Sequence, residues 1–127
     1  MAPVGRRPPA YRKLLKVGDL PFPVERADEA DFERRVLARE GRVAALFWAD
    51  WCPYARRFLP VFESADLPGI EKVLVDVSDE GGLWDRYRIP VVPTVLVFVA
   101  GREVGRIDGV KGLGIKAERL DELRSPC

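Results

Sequence analysis

Residues 47–60 read FWADWCPYARRFLP and place a single cysteine, Cys52, where an apolar stretch gives way to a helical one. The run from Val43 to Trp48 has the length and composition of a buried strand. Pro53 suits the first position of a helix, where its missing N–H is not needed. The apolar residues after it recur at helical spacing. This stretch therefore predicts a strand, a turn, and a helix from Cys52 to about Ser64.

The position of Cys52 predicts a reactive thiol. A sulfur at a helix start lies near the unpaired N–H groups of the first turn, which together with the helix dipole favour a thiolate. Arg56 and Arg57 follow within a turn and either tune this sulfur or are plain solvated residues. The alternative is a cysteine that serves only as a small buried apolar residue.

The chain lacks the second sulfur of a dithiol site. In such a site the residue three positions after the first cysteine lies on the same helical face and attacks the mixed disulfide. That residue is Ala55, which cannot attack. Cys52 can therefore form a mixed disulfide with a partner but cannot resolve it within the chain.

Strands and helices alternate in the rest of the chain. Before this stretch we predict an edge strand at Phe22–Glu25 and a helix that is capped by Asp28 and Asp31 and stops at Gly41; the helix carries Ala30, Phe32, Val36 and Leu37. After it we predict a strand at Ile70–Val77, a short helix at 79–88 and a strand at Val91–Val99 that is broken by Pro93. The last predicted elements are a strand at Glu103–Asp108 and a helix at Ile115–Leu123. Two right-handed β-α-β crossovers followed by a hairpin predict an α/β fold of three layers, α/β/α, with a central mixed sheet. We expect a flexible arm at 1–20, one domain at 21–124 and a tail at 125–127.

Composition excludes several classes of function. The net charge of the 127 residues is +1 without a block of like charge, so neither nucleic acid nor a membrane is an expected partner. The chain has no His, which removes imidazole bases and ligands, and its two cysteines cannot build a zinc site of the usual kind. We therefore expect no metal and no cofactor. Two distant cysteines, and N-terminal residues too polar for an export signal, predict a cytoplasmic protein.

The stretch around Cys52 resembles the active-site segment of the thioredoxin family: an apolar strand, two tryptophans, a cysteine, two variable residues, and then usually a second cysteine and a basic residue. Further matches at family spacing are Pro60 in the helix, YRIPVVPT at Tyr87–Thr94, GREV at Gly101–Val104, and Gly109. The Pro-Tyr dipeptide is similar to the glutaredoxin version of the motif. The resemblance covers roughly residues 22–124.

This resemblance implies a thioredoxin-like fold and a thiol–disulfide oxidoreductase that acts on protein disulfides through Cys52. It also implies a cis bond before Pro93, with Val92 presenting its backbone to a peptide across a groove from Cys52. Residues Trp51, Pro53 and Tyr54 would contact the substrate, with Trp51 shielding the sulfur, and Trp84 would serve packing.

Two positions depart from the family pattern. Ala55 replaces the resolving cysteine, and Leu46 replaces the buried aspartate that many thioredoxins use as a proton acceptor. Without a second sulfur that acceptor has less to do, so the two losses are consistent with each other.

Three functions remain open. The first is a dithiol oxidoreductase whose resolving cysteine has been replaced by Ala55, either by natural change or by a deliberate mutation. The second is a natural single-cysteine protein that relies on an external thiol for release. The third is a non-catalytic module that holds an extended peptide beside Pro93 through backbone hydrogen bonds. We expect a monomer that meets a protein or low-molecular-weight thiol or disulfide, and a Cys127 that forms no bond with Cys52 because the last helix leads away from the site.

Overall fold

The computed structural model describes residues 24–79 and 81–124. The predicted arm at 1–20, the tail at 125–127 with Cys127, and the first residues of the predicted edge strand lie outside the described residues. The expectations for these segments therefore stay predictions.

Five strands form one mixed sheet in the order β1-β3-β2-β4-β5. They are β1 (Glu25–Ala27), β2 (Arg42–Trp48), β3 (Ile70–Asp76), β4 (Thr94–Val99) and β5 (Arg102–Ile107). β1 and β2 both run parallel to β3, whereas β4 is antiparallel to β2 and to β5. The predicted mixed sheet is confirmed, with strand ends shifted by a few residues. The register between β4 and β5 also shifts between Val97 and Phe98, as at a β-bulge.

In the described part of the chain four helical segments connect or follow these strands. They are a π-helix (Glu33–Leu37), α1 (Pro53–Ser64), α2 (Leu83–Arg86) and a 3₁₀-helix (Ala117–Arg124). The chain passes from β1 over β3 to β2, and then returns from β2 to β3. Because such parallel crossovers are right-handed, these opposite directions put the π-helix and α1 on opposite faces of the sheet. The three-layer architecture follows from this topology.

The first predicted helix is shorter than expected and differently wound. The Asp28 N–H donates to Oδ1 of Asp31 at 2.7 Å, and the Asp31 N–H donates back to Oδ1 of Asp28 at 3.1 Å. This reciprocal pair is the predicted capping-box arrangement of Asp28 and Asp31, which is confirmed. The regular helix that follows is a π-helix and begins only at Glu33. Ala30 precedes the π-helix and is exposed, while Phe32 and Val36 are buried.

The last predicted helix is a 3₁₀-helix rather than an α-helix. Its buried apolar residues, Leu120 and Leu123, are three positions apart. Three residues make one turn of a 3₁₀-helix, so this winding brings both leucines onto one side. Residues Ile115 and Lys116, expected within the helix, precede it.

Aromatic packing fixes one face of the sheet. The ring of Phe32 lies 5.8 Å from that of Phe47 on β2 and 5.9 Å from that of Phe98 on β4, measured between centroids. Tyr87 joins the same cluster at 5.6 Å from Phe32. Trp48 is fully buried, as expected. This close packing holds β2 and β4 firmly in place, and with them the segments at their ends.

Glu63, in the last turn of α1, is a buried carboxyl group remote from the predicted site. It is 2% exposed, and its Oε1 accepts no hydrogen bond from the described residues. The Lys72 ammonium donates to the backbone carbonyls of Glu63, at 2.8 Å, and of Ala65, so it caps the end of α1. Burial raises the pKa of Glu63 to about 7, against the opposing charges of Arg26 and Lys72.

Candidate functional site

Cys52 is the residue immediately before α1. Its backbone is extended, with φ −102° and ψ 115°, and its carbonyl accepts the Arg56 N–H at 3.0 Å. The Cys52 N–H donates to the carbonyl of Ala49 at 3.2 Å. These two bonds hold the cysteine between the end of β2 and the first turn of α1, where the sequence places it.

The sulfur is not hydrogen-bonded to the N–H groups of the first turn of α1, which corrects the expectation that those groups hold it. Cys52 makes no side-chain capping bond. Instead its thiol donates to the Val92 carbonyl oxygen, which lies 3.4 Å from Sγ. Cysteine sulfur is a weak acceptor of N–H groups, and Pro53 removes one donor from this turn. The bond to Val92 requires the proton to be on Sγ.

The segment before β4 faces this sulfur. The peptide bond between Val92 and Pro93 is cis, and both residues are buried. The Thr94 hydroxyl donates to the Val91 carbonyl at 2.7 Å and accepts the Gly109 N–H at 3.2 Å. Backbone from the loop after β5 therefore holds the Val92 carbonyl in place beside Cys52.

Replacing Gly109 with Ala is expected to displace this segment. A Cβ at this position would lie 2.2 Å from the Pro93 carbonyl oxygen, so the backbone must move. We expect a loss of about 1–3 kcal/mol of stability and a changed rate of Cys52 alkylation. Chemical denaturation and thiol kinetics measure the two effects. Gly41→Ala is the matched control, because nothing lies within 4 Å of its added Cβ; equal behaviour of the two variants would contradict the proposed contact.

Two tryptophans form one wall of the site. Trp51 and Trp84 stack with ring centroids 6.2 Å apart and planes 9° apart. The Trp51 Nε1–H donates to the Ser78 carbonyl at 3.0 Å, and the Trp84 Nε1–H donates to the Val77 carbonyl at 3.1 Å. Both indoles are therefore anchored to the segment that follows β3.

A cleft of about 400 Å³ opens beside Cys52. Among the predicted site residues, Trp51, Tyr54 and Val92 line it together with Cys52, whereas Pro53 and Pro93 do not. Cys52 is 8% exposed, so its accessible surface is small and opens on this cleft.

Trp84, Val110 and Lys111 also line the cleft, and the sequence did not reveal this role for them. A signal for Trp84 was present. β2 and β3 are parallel neighbours, so the segments after their carboxyl ends meet at one edge of the sheet. Trp84 was predicted to serve packing because the pairing of β2 with β3, which brings the segments after them together, was not considered.

The residues near Cys52 that the sequence singled out are either buried and apolar or, in the case of Arg57, in contact with another side chain. Ala55 and Leu46, at the positions of the two family departures, are fully buried. The Arg57 guanidinium lies over the Tyr54 ring, 5.3 Å from Cζ to the centroid, in a cation–π arrangement. Arg57 therefore contacts Tyr54, a residue of the cleft.

The described residues contain no group of His, Cys, Asp and Glu side chains arranged to hold a metal ion. None of the helices in the described ranges has the length and apolar character needed to cross a bilayer.

Comparison with known proteins extends the match beyond the site. The family model for thioredoxin matches residues 23–120. Thioredoxin of Staphylococcus aureus is 30% identical over 102 residues, which cover 78% of this chain and 96% of that protein. Protein disulfide-isomerase A3 of Gallus gallus is 34% identical over 84 residues, which cover 64% of this chain but 17% of that protein.

Solved structures agree with the fold. The thioredoxin of Malassezia sympodialis superposes with a TM-score of 0.61 at 25% identity, covering 77% of this chain and 85% of that one. A mutant thioredoxin from Halobacterium salinarum gives a TM-score of 0.62 at 25% identity, with 78% and 87% of the two chains covered. Since the family model spans most of the chain and a relative is matched over nearly its full length, the chain belongs to the thioredoxin family.

Proposed function

We propose that this chain exchanges disulfides through Cys52 as a single-cysteine protein. Family membership supports a thiol–disulfide oxidoreductase role in general. The observation that carries the specific proposal is the position of Cys52: before α1, on the cleft, with Sγ 3.4 Å from the Val92 carbonyl. We expect a cytoplasmic monomer whose partners are protein or low-molecular-weight disulfides, without nucleic acid, membrane, metal or cofactor.

The proposed reaction is one thiol–disulfide exchange. The Cys52 thiol loses its proton to solvent, since the chain has no His to accept it. The thiolate attacks one sulfur of the substrate disulfide, a new S–S bond forms, the old one breaks, and the departing thiolate takes up a proton. Ala55 cannot attack the mixed disulfide, so release needs an external low-molecular-weight thiol. One molecule of this thiol displaces the substrate as a thiol and forms a mixed disulfide with Cys52; a second attacks that bond, restores the Cys52 thiol and leaves as the disulfide of the small thiol.

Val92 has a second part in this reaction. Before ionisation, its carbonyl accepts a hydrogen bond from the Cys52 thiol. Ionisation removes that donor and leaves the carbonyl free for another. A backbone N–H of an extended peptide in the cleft is a suitable replacement. Loss of the proton and binding of the peptide backbone would therefore favour each other.

A second candidate is a non-catalytic module that binds an extended peptide in the cleft. Two observations favour it: only 8% of Cys52 is exposed, and the Cys52 thiol donates a hydrogen bond to the Val92 carbonyl. This candidate predicts peptide binding without a covalent product.

The replacement Cys52→Ser tests the proposal. In a Cys127→Ser background, so that Cys52 is the sole thiol, we expect a peptide disulfide to give a one-to-one covalent adduct by non-reducing mass spectrometry. The further change Cys52→Ser is expected to abolish the adduct. Alkylation rates of Cys52 across the pH range in which a free cysteine ionises give its reactivity independently. An unreactive Cys52 with peptide binding retained would reject exchange in favour of the module.

A further inference from the structure

Lys111 is the charged side chain among the described residues that line the cleft. It belongs to a closed turn after β5, in which the Val110 N–H donates to the Gly114 carbonyl at 2.9 Å and the Gly114 N–H donates to the Val110 carbonyl at 2.8 Å. Gly114 lets this turn approach α1, because a Cβ there would lie 3.3 Å from the Tyr54 Cβ. The backbone of Lys111 is therefore held beside the cleft.

The charge of Lys111 has no counter-ion in the described part of the chain. The neighbouring arginines differ in this respect: Arg106 pairs with Glu103 and Asp108, and Arg119 pairs with Glu122. The described lining also contributes no carboxylate. An anionic group entering the cleft would thus find a cation that no internal partner occupies.

The rest of the cleft suits a large apolar side chain. The stacked indoles of Trp51 and Trp84 form one wall, and the lining also includes Tyr54 and Val110, the latter 50% exposed. Aromatic side chains prefer offset or edge contacts with such rings. Apolar walls with one unpaired cation indicate a ligand that is both apolar and anionic.

We propose that Lys111 and Trp84 determine specificity for peptide disulfides that carry an acidic residue and an aromatic residue close to the reacting cysteine. This inference rests on the proposed exchange at Cys52 and names its substrate class. The carboxylate pairs with the Lys111 ammonium, and the aromatic side chain packs against Trp84. The covalent step is unchanged: the Cys52 sulfur bonds to the peptide sulfur, and the original disulfide breaks with release of its other half.

The test uses peptides joined through their cysteine to 2-thiopyridine, a leaving group that is neutral and coloured when released. Each peptide has a tryptophan, replaced by alanine in a matched counterpart, and one variable residue, Glu, Gln or Lys, within two residues of the cysteine, in both orders. The full chain with Cys127→Ser is compared with the added replacements Lys111→Glu, Trp84→Ala and, as a matched control, Lys116→Glu. Lys116 is exposed and is not among the residues lining the cleft.

We expect the Glu peptide to react about two to five times faster than the Gln peptide, and the Lys peptide to react more slowly still. Lys111→Glu should reverse this order, whereas Lys116→Glu should preserve it. Trp84→Ala should remove the advantage of a tryptophan peptide over its alanine counterpart. Equal rates for the three peptides, or equal effects of the two lysine replacements, would overturn the inference.

A neutral reagent separates failure of this inference from failure of the proposed function. The small compound 2,2′-dipyridyl disulfide offers neither charge nor peptide. If it reacts readily with Cys52 while the peptides are not discriminated, exchange stands and the specificity is wrong. If it also fails to react, the exchange itself is wrong.

Discussion

The replacement Ala55→Cys is expected to let the protein resolve its own mixed disulfide and so to accelerate a turnover that otherwise waits for an external thiol. Position 55 lies three residues after Cys52 on α1, so its side chain is on the same face of the helix. A thiol there would attack the mixed disulfide within the molecule, and intramolecular attack benefits from a high effective concentration. We expect reduction of insulin, with dithiothreitol as the electron source, to accelerate by at least about tenfold.

Ala55→Ser is the matched control for this gain. It adds a group of similar size that cannot break a disulfide, so its insulin reduction should equal that of the parent. Both variants carry Cys127→Ser, which leaves no other thiol of the chain to resolve the intermediate. If Ala55→Cys performs no better than Ala55→Ser, the interpretation of Ala55 as a replaced resolving cysteine loses its support. The buried Leu46 offers no proton acceptor, so the gain should stay below that of a complete dithiol site.

Glu63→Gln is expected to stabilise the protein at alkaline pH and to flatten its pH dependence. The pKa of Glu63 is about 7 when folded, compared with 4.5 for a free carboxyl. Between these values the folded state binds more protons than the unfolded state, so stability of the native sequence falls as pH rises. Glutamine cannot ionise and should escape this loss, gaining roughly 1–3 kcal/mol well above pH 7 and little or nothing at acidic pH.

Urea denaturation at a series of pH values measures this difference. Glu118→Gln serves as the control, because Glu118 is an exposed carboxyl group on the 3₁₀-helix. Its pH profile should follow that of the native sequence. An unfolding free energy with no difference between the native sequence and Glu63→Gln in its change from pH 4.5 to above pH 7 would show that Glu63 is not held protonated in the folded state.

Local sequence signals predicted the elements nearest the site well. β2 and α1 were found because an apolar run is followed by Pro53 and a helical repeat, signals that lie within the segment itself. The π-helix and the 3₁₀-helix were mistaken for α-helices. In the first, the capping pair Asp28 and Asp31 was predicted correctly, but the winding after it was not; in the second, only two leucines are buried. Apolar periodicity does not distinguish such windings over so few residues.

The candidate site was predicted in part. Cys52, Trp51, Tyr54 and Val92 meet as the motif suggested. The contact of the sulfur with Val92 depends on how closely two distant segments approach, which no local pattern records. The same holds for Trp84 and Lys111, since their places at the cleft follow from β3 and β5 flanking the two central strands.

The irregular pairing of β4 with β5 has a consequence for how other chains can attach. β5 is an outer strand, and open strand edges invite a further strand from a neighbouring molecule. The register shift between Val97 and Phe98 interrupts the regular pairing of this edge strand, and β5 carries the charged residues Arg102, Glu103 and Arg106. Fibre-like stacking of copies along this side is thereby discouraged.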